Sequence, residues 1–249
     1  MAARVALVTG ASRGIGAATA VLAAARGYAV AVNYRANQAA ADAVVARIAA
    51  AGGRAIAVAA DVSVESDVVG LFETVDRELG RITALVNNAG ILAPQTTVAR
   101  MDAERLRAIF ATNVIGAFLC AREAIQRMST RNGGGGGAIV NVSSAAARLG
   151  SPREYVDYAA SKGALDTMTI GLSKEVAADG IRVNGVRPGL IYTEIHASGG
   201  EPARVDRLKT AMPMQRGGDP AEVARAILWL LSDEASYSTG TFIDVAGGW

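Results

Sequence analysis

Seven short runs rich in Val, Ile and Ala alternate with longer segments of helical period, and this alternation constrains the fold more than any single motif. The runs are "RVALVT" 4–9, "YAVAVNY" 28–34, "RAIAVAA" 54–60, "ITALVN" 82–87, "AIVNVS" 138–143, "IRVNGV" 181–186 and "TFIDVA" 241–246. Helical segments are expected over 14–26, 37–51, 65–79, 102–130, 155–178 and 220–232. Strands apolar on both faces, separated by helices, belong to a parallel sheet joined by right-handed crossovers. The pattern therefore predicts an α/β fold, a doubly wound parallel seven-stranded sheet with helices on both faces. No Pro-rich or charged linker and no internal repeat divides the 249 residues, so one domain spanning 1–249 is expected.

The charge balance argues against a polyelectrolyte partner. Lys and Arg number 25 against 23 Asp and Glu, and the early arginines Arg4, Arg13, Arg26 and Arg35 are spread out rather than clustered. No nucleic acid partner is expected. "MAARVALVTGASRG" reaches glycine and arginine before an apolar run is long enough for a signal peptide or a membrane span, so no membrane partner is expected either. The one cysteine, Cys120, excludes an internal disulfide framework and reads as a small apolar filler on a helix. The expected compartment is the cytoplasm. His196 is the only histidine, and without a Cys or His cluster it makes no metal site.

"VTGASRGIGAATA" places Gly10, Gly14 and Gly16 after the first strand and at the opening of the first helix. There backbone N–H groups and the positive helix end face a pyrophosphate, although the spacing is G-x-x-x-G-x-G rather than G-x-G-x-x-G. An acid on the ribose 2′-hydroxyl would mark NAD(H), but the second strand ends "VNYRAN" and no acid appears before Asp42. Arg35 at that strand end and Arg13 inside the turn instead suit a 2′-phosphate, so NADP(H) is expected over NAD(H). "GGGGG" at 133–137 precedes a strand instead of opening a helix, and reads as a flexible turn. Residues 188–218 form one long irregular stretch, the candidate substrate lid at about 190–218, with Gly199 and Gly200 as hinges.

In "EYVDYAASK", Lys162 lies four residues beyond Tyr158 and seven beyond Tyr155, so on a helix Tyr158 is its neighbour in the adjoining turn. Asn113 interrupts an otherwise apolar helical pattern, and a buried amide there needs hydrogen-bond partners.

With "TGASRGIG" 9–16, "DV" 61–62, "NNAG" 87–90, Asn113 in "NVIG", "VSS" 142–144, "YAASK" 158–162 and "RPG" 187–189 in this order, the chain resembles the short-chain dehydrogenase/reductases from end to end. "EYVDYAASKGALDT", "RPGLIYTEIHASGGEP" and "PMQRGG" are similar to a bacterial subgroup of sugar and 3-oxoacyl reductase-like oxidoreductases. The resemblance implies a Rossmann-type fold and a catalytic set of Asn113, a serine, Tyr158 and Lys162. It gives Tyr158 the proton exchange with the substrate oxygen. Lys162 is expected to favour the phenolate, lowering an ordinary pKa of about 10, and to bond the nicotinamide ribose. Asn113 marks a backbone kink where a water joins the lysine to a proton relay. Tyr155 lacks the cation and reads as packing.

The serine departs from the usual spacing, which would fall on Ala145; Ser144 is expected to be the catalytic serine over Ser143, with one residue inserted in "SPREYVD". The resemblance assigns the turn residues Gly10, Ser12, Arg13, Gly14, Ile15 and Gly16, with Asn33 and Arg35, to the cofactor. Asp61 and Val62 fall to the adenine, Asn87, Ala89 and Gly90 to the adenosine side, and Pro188, Gly189, Ile191 and Thr193 to the nicotinamide end. The expected function is an NADP(H)-dependent oxidoreductase interconverting a carbonyl and a secondary alcohol on a small-molecule substrate. Alternatives are an NAD(H)-dependent sugar or polyol dehydrogenase and a catalytically silent cofactor-binding regulatory protein. Small residues Ala159, Ala160, Gly163 and Ala164 on one helix, and the terminal "FIDVAGGW", point to a homotetramer or homodimer.

Overall fold

The computed structural model describes residues 4–249. Strands β1 (Arg4–Val8), β2 (Tyr28–Tyr34), β3 (Ala55–Ala59), β4 (Ala84–Asn87), β5 (Gly137–Val142), β6 (Ile181–Pro188) and β7 (Phe242–Val245) form one sheet of order β3-β2-β1-β4-β5-β6-β7. Every pairing is parallel. The order reverses between β1 and β4, and such a switch point opens a crevice beyond the carboxyl ends of the strands.

The helices are α1 (Gly14–Ala25), α2 (Gln38–Ala50), α3 (Glu65–Glu78), α4 (Ala103–Phe110), α5 (Gly116–Met128), α6 (Ala146–Leu149), α7 (Val156–Glu175), α8 (Ile195–Ser198), α9 (Arg204–Leu208) and α10 (Pro220–Leu231). Strand alternation sorts the core into two layers. Ala6 and Val8 of β1 join Val44 and Ile48 of α2 and Val223 and Ile227 of α10. Val5 and Leu7 join Leu71 and Phe72 of α3, Cys120 and Met128 of α5 and Leu165 of α7 on the other face. Cys120 is a buried filler whose thiol is pushed up to about 12 by burial, with Glu123 adding to the rise.

Three segments differ from the sequence expectation. The helix expected over 102–130 is two helices joined by a π-helical turn, Ala111–Ile115, which buries Asn113. Ile115 and Phe118 stand about half exposed, at 51% and 52%. By length and composition Ala103–Met128 passes as a membrane span. Its basic residues nonetheless pair inside the domain: Arg122 Nη1 lies 2.6 Å from Glu65 and Arg127 Nε 2.6 Å from Asp76, both on α3.

The glycine run at 133–137 is a turn crowded at Gly134, Gly136 and Gly137 and open at Gly133 and Gly135. A Cβ on Gly136 would meet the Gly180 carbonyl at 2.5 Å, and one on Gly137 the Thr83 carbonyl at 2.6 Å, so backbone strands pass where side chains would stand. The stretch 188–218 contains α8 and α9, and its ends are pinned by the Tyr192 N–H to the Gly218 carbonyl at 3.0 Å and the Gly218 N–H to the Leu190 carbonyl at 2.8 Å. Gly199, expected as a hinge, is instead a packing point, since a Cβ there would lie 2.7 Å from Leu92 and 3.0 Å from the Tyr155 hydroxyl oxygen.

Gly16 packs α1 onto the crevice floor. An alanine Cβ would sit 2.5 Å from Asn88 Nδ2 and 2.6 Å from the Gly10 carbonyl oxygen, neither of which has room to retreat. Gly16→Ala is expected to destabilise the domain by ~1–3 kcal/mol, read from the denaturant midpoint at unchanged slope.

Candidate active site

A cleft of about 670 Å³ runs along the carboxyl edge of the sheet. Its floor is fixed by Thr9, whose buried Oγ1 accepts the Asn88 N–H at 3.0 Å and the Ala89 N–H at 2.9 Å while donating to the Val86 carbonyl at 3.3 Å. Gly10 and Gly14 have φ of 60° and 54°, the left-handed region, which bends the chain directly off β1 into α1. Arg13 stands as N-cap with no side-chain cap bond, and no acid occupies the first turn of α1. The first N–H groups of that helix are thus left for an anion.

The cleft is lined at this end by Gly10, Ser12, Arg13, Gly14, Ile15, Gly16, Asn33, Arg35, Asp61, Val62, Ala89 and Gly90. Asn33 is committed to backbone: its Oδ1 accepts the Gly10 N–H at 3.1 Å and its Nδ2 donates to the Ala60 carbonyl at 3.1 Å. Asp61 caps the following turn through the Ser63 N–H at 2.9 Å and lies 3.9 Å from exposed Arg35. Asn87 is not brought to the cleft. As the last residue of β4 it is buried, and its Nδ2 donates to Asn141 Oδ1 at 3.0 Å and the Ala117 carbonyl at 3.2 Å; its neighbour Asn88 lines the wall instead. These features fit a dinucleotide: a strand-to-helix turn bent at two glycines, free helix N–H groups and two exposed guanidiniums.

At the other end Ser144, Tyr158 and Lys162 converge beside Pro188, Gly189, Ile191 and Thr193. Thr193 reaches back over the turn, its methyl 3.2 Å from where a Gly14 Cβ would stand. Ser144 Oγ accepts the Ala146 N–H at 3.1 Å, which leaves its own proton to donate. Ser143 is buried and donates to the Lys162 carbonyl at 3.2 Å, facing the helix rather than the reacting centre. The residue inserted in "SPREYVD" is absorbed by a tight loop in which Ser151 (φ 44°) and Arg153 (φ 65°) take left-handed backbone, a costly conformation for non-glycine residues.

The electrostatics differ from the expectation that the ammonium acidifies the phenol. Burial pushes Tyr158 up to about 12, opposed by the hydrogen bond from Ser144. Burial also pulls Lys162 down to about 8, opposed by the Asp166 carboxylate one turn further along α7. The physical reason is commitment and distance: Lys162 Nζ donates to the Val142 carbonyl at 2.7 Å and lies 5.6 Å from the Tyr158 ring centroid, so it does not offset the lost hydration of a phenolate. Asn113 does not line the cleft. Its side chain accepts the Ile91 N–H at 2.8 Å and donates to Ser161 Oγ at 3.0 Å, and Ser161 donates to the Tyr158 carbonyl at 2.7 Å. It holds the α4–α5 turn, the Ile91 loop and α7 in one register.

The lid supplies residues that the sequence did not bring together. Arg204 on α9 is bonded bidentately by Glu154, at 2.5 and 3.1 Å, and by Glu201 at 3.0 Å, and it lies over the Tyr155 ring at 5.2 Å. Tyr155 is buried and donates to the Gly199 carbonyl at 3.3 Å. Trp249, the last residue, also lines the cleft. The start of α7 is clamped by Arg105 on α4, whose Nε lies 2.6 Å from the buried Asp157 carboxylate.

The family model described as enoyl-(acyl carrier protein) reductase matches residues 10–249. The chain belongs to the short-chain dehydrogenase/reductase family. It is 64% identical over 244 residues to the uncharacterized oxidoreductase YgfF of Escherichia coli (strain K12), covering 98% of this chain and 99% of that one. It is 41% identical to a 3-oxoacyl-[acyl-carrier-protein] reductase of Synechocystis, over 100% of this chain and 97% of the relative. A crystal structure of a short-chain type dehydrogenase/reductase from Mycobacterium marinum superposes with a TM-score of 0.92 at 35% identity, covering 98% of this chain and 94% of the other. The protein is thus an oxidoreductase acting on CH–OH groups with a nicotinamide cofactor.

Because the Lys162 pKa is depressed to about 8, its ammonium is present below that pH and is lost as the pH rises through it. If carbonyl reduction needs the ammonium, its rate falls above about pH 8. Removing the carboxylate that opposes the depression, by Asp166→Asn, is expected to move that fall to lower pH while the acid-side plateau of kcat persists.

Proposed function

We propose that the protein is an NADP(H)-dependent reductase of a small carbonyl compound, with Tyr158 as the proton donor. The observation that carries this reading is one cleft joining the bare glycine turn, flanked by exposed Arg13 and Arg35, to the converging hydroxyls of Ser144 and Tyr158 beside Lys162. When bound, the cofactor supplies a hydride to the carbonyl carbon. The carbonyl oxygen then gains negative charge and takes the proton of Tyr158, giving the alcohol; the balance is one carbonyl, one NADPH and one proton to one alcohol and one NADP+. A phenol held near 12 keeps its proton at neutral pH, the state that reduction requires. Ser144 donates to the same oxygen, so charge developing there meets two hydroxyl donors. In the reverse direction the phenolate form of Tyr158 removes the alcohol proton.

The 2′-phosphate of NADP(H) is assigned to Arg13 and Arg35. Arg13 has no ion pair among the described residues, and Arg35 has only the loose contact with Asp61 at 3.9 Å, so both guanidiniums are available for charge-assisted bonds. The exposed apolar residues Ile115, Phe118 and Ile170 lie on α5, its preceding turn and α7, and Gly163 and Gly171 leave open space on α7. These faces support self-association as a homodimer or homotetramer.

The test is steady-state oxidation of NADPH against a panel of ketones and aldehydes. Tyr158→Phe is expected to lower kcat by roughly 10²–10⁴; full activity in that variant at every pH sinks the assignment. Arg13→Ala and Arg35→Ala are each expected to raise KM for NADPH by roughly ten- to a hundredfold while leaving NADH nearly unchanged. Equal loss for both cofactors refutes the NADP(H) preference.

A further inference from the structure

Among the residues lining the cleft, one carries a buried side-chain atom that the protein itself leaves without a partner. His196, on α8 of the lid, lines the cleft, and its Nε2 lies 2.9 Å from the Ile191 carbonyl oxygen. A carbonyl only accepts, so Nε2 carries the proton, and in the neutral ring Nδ1 is then a bare acceptor. That Nδ1 is buried and makes no hydrogen bond. An acceptor stranded in this way costs free energy until a donor reaches it.

The surrounding charges say what kind of donor fits. Four cationic side chains line the cleft, and Arg13 and Arg35 stand at the glycine-turn end. Of the other two, Lys162 is committed to the Val142 carbonyl and Arg204 to Glu154 and Glu201. Both cations of the substrate end are therefore already partnered within the protein. Burial holds the imidazole below its ordinary pKa, and neighbouring Arg204 disfavours its cation further, while the Ile191 carbonyl and Glu201 act in the opposite sense. A neutral acceptor near a guanidinium paired with two carboxylates suits a neutral hydroxyl.

Resting on the carbonyl-reductase reading above, we propose that His196 is a substrate-recognition residue whose Nδ1 accepts a hydrogen bond from a hydroxyl group of the substrate, so that the preferred substrates are neutral hydroxylated carbonyl compounds and their polyol products. The Nε2 bond to Ile191 fixes the acceptor relative to the nicotinamide end of the cleft. A site built to bond a hydroxyl discriminates strongly against the analogue without it, because the buried partner is then left unpaired. A plain acyl chain, which has no donor for Nδ1, forfeits this contact.

Because His196 is the only histidine, the imidazole spectrum of the full chain labelled with 15N-histidine reports this residue alone. In the NADP+ complex near neutral pH the spectrum is expected to show the neutral Nε2–H form. Adding glycerol, xylitol or sorbitol is expected to move the Nδ1 resonance far more than Nε2. A ring protonated at Nδ1, or an Nδ1 resonance unmoved by all three polyols, overturns the proposal. Turnover supplies a second arm. Dihydroxyacetone against 3-pentanone, and 3-hydroxy-2-butanone against 3-methyl-2-butanone, replace hydroxyl by methyl at nearly constant shape.

Wild type is expected to favour the hydroxylated member of at least one pair by at least about tenfold in kcat/KM. His196→Phe is expected to abolish that preference, and His196→Asn, which keeps an acceptor in the Nδ1 position, to restore part of it. A preference that survives His196→Phe also overturns the proposal. If wild type reduces no carbonyl at all, the reductase reading fails, and the spectrum still decides the role of His196 because it does not depend on turnover.

Discussion

A buried hydrogen bond, from the Lys162 ammonium to the Val142 carbonyl, anchors α7 to the end of the central sheet. A lysine is rarely this buried, and its charge is tolerated because the carbonyl at the end of β5 and the Asp166 carboxylate replace part of the water it has lost. The consequence is positional. With Nζ fixed against β5, Tyr158 one turn earlier is held over the carboxyl edge of the sheet, where Ser144 emerges from the same strand. The reacting centre is therefore a property of strand order: β5 supplies the serine, α7 the phenol, and β1 and β4 the floor of the cleft.

The segment 190–218 is held to this centre by charge as well as by buried apolar residues such as Val205 and Met212. Arg204 reaches from α9 to Glu154, immediately before α7, and its ring contact with Tyr155 covers the apolar side of the same junction. Two carboxylates around one buried guanidinium give directional bonds, which place His196 and Ile191 at a defined height above the cleft. Opening the lid means rehydrating these groups together, so its movement is expected to be concerted rather than a fraying of residues 195–208.

The fold was legible in the sequence because a parallel sheet covered on both faces needs unbroken apolar strands, and all seven Val, Ile and Ala runs became strands of one sheet. Their boundaries moved by a few residues, as at β4, which begins at Ala84 although the run starts at Ile82. The π-helical turn was not legible: the apolar pattern around Asn113 reads as one continuous helix. In the site, motif residues that act through backbone or through one helix face were visible, including the Tyr158–Lys162 pair. Contacts such as Glu154 with Arg204 join residues about fifty positions apart and leave no local periodicity to read. The sign of the Tyr158 shift escaped for a related reason. Sequence spacing tells which groups are neighbours along a helix, whereas burial, which dominates here, depends on everything packed around them.

Cys120 lies fully inside the layer formed by α3, α5 and the sheet, and its thiol stays protonated across the physiological range. The native chain thus presents no reactive thiol to alkylating reagents. A cysteine introduced on the outer surface of α8 or α9 would be the sole reactive handle, allowing a fluorophore or spin label to follow the lid in an otherwise unmodified protein.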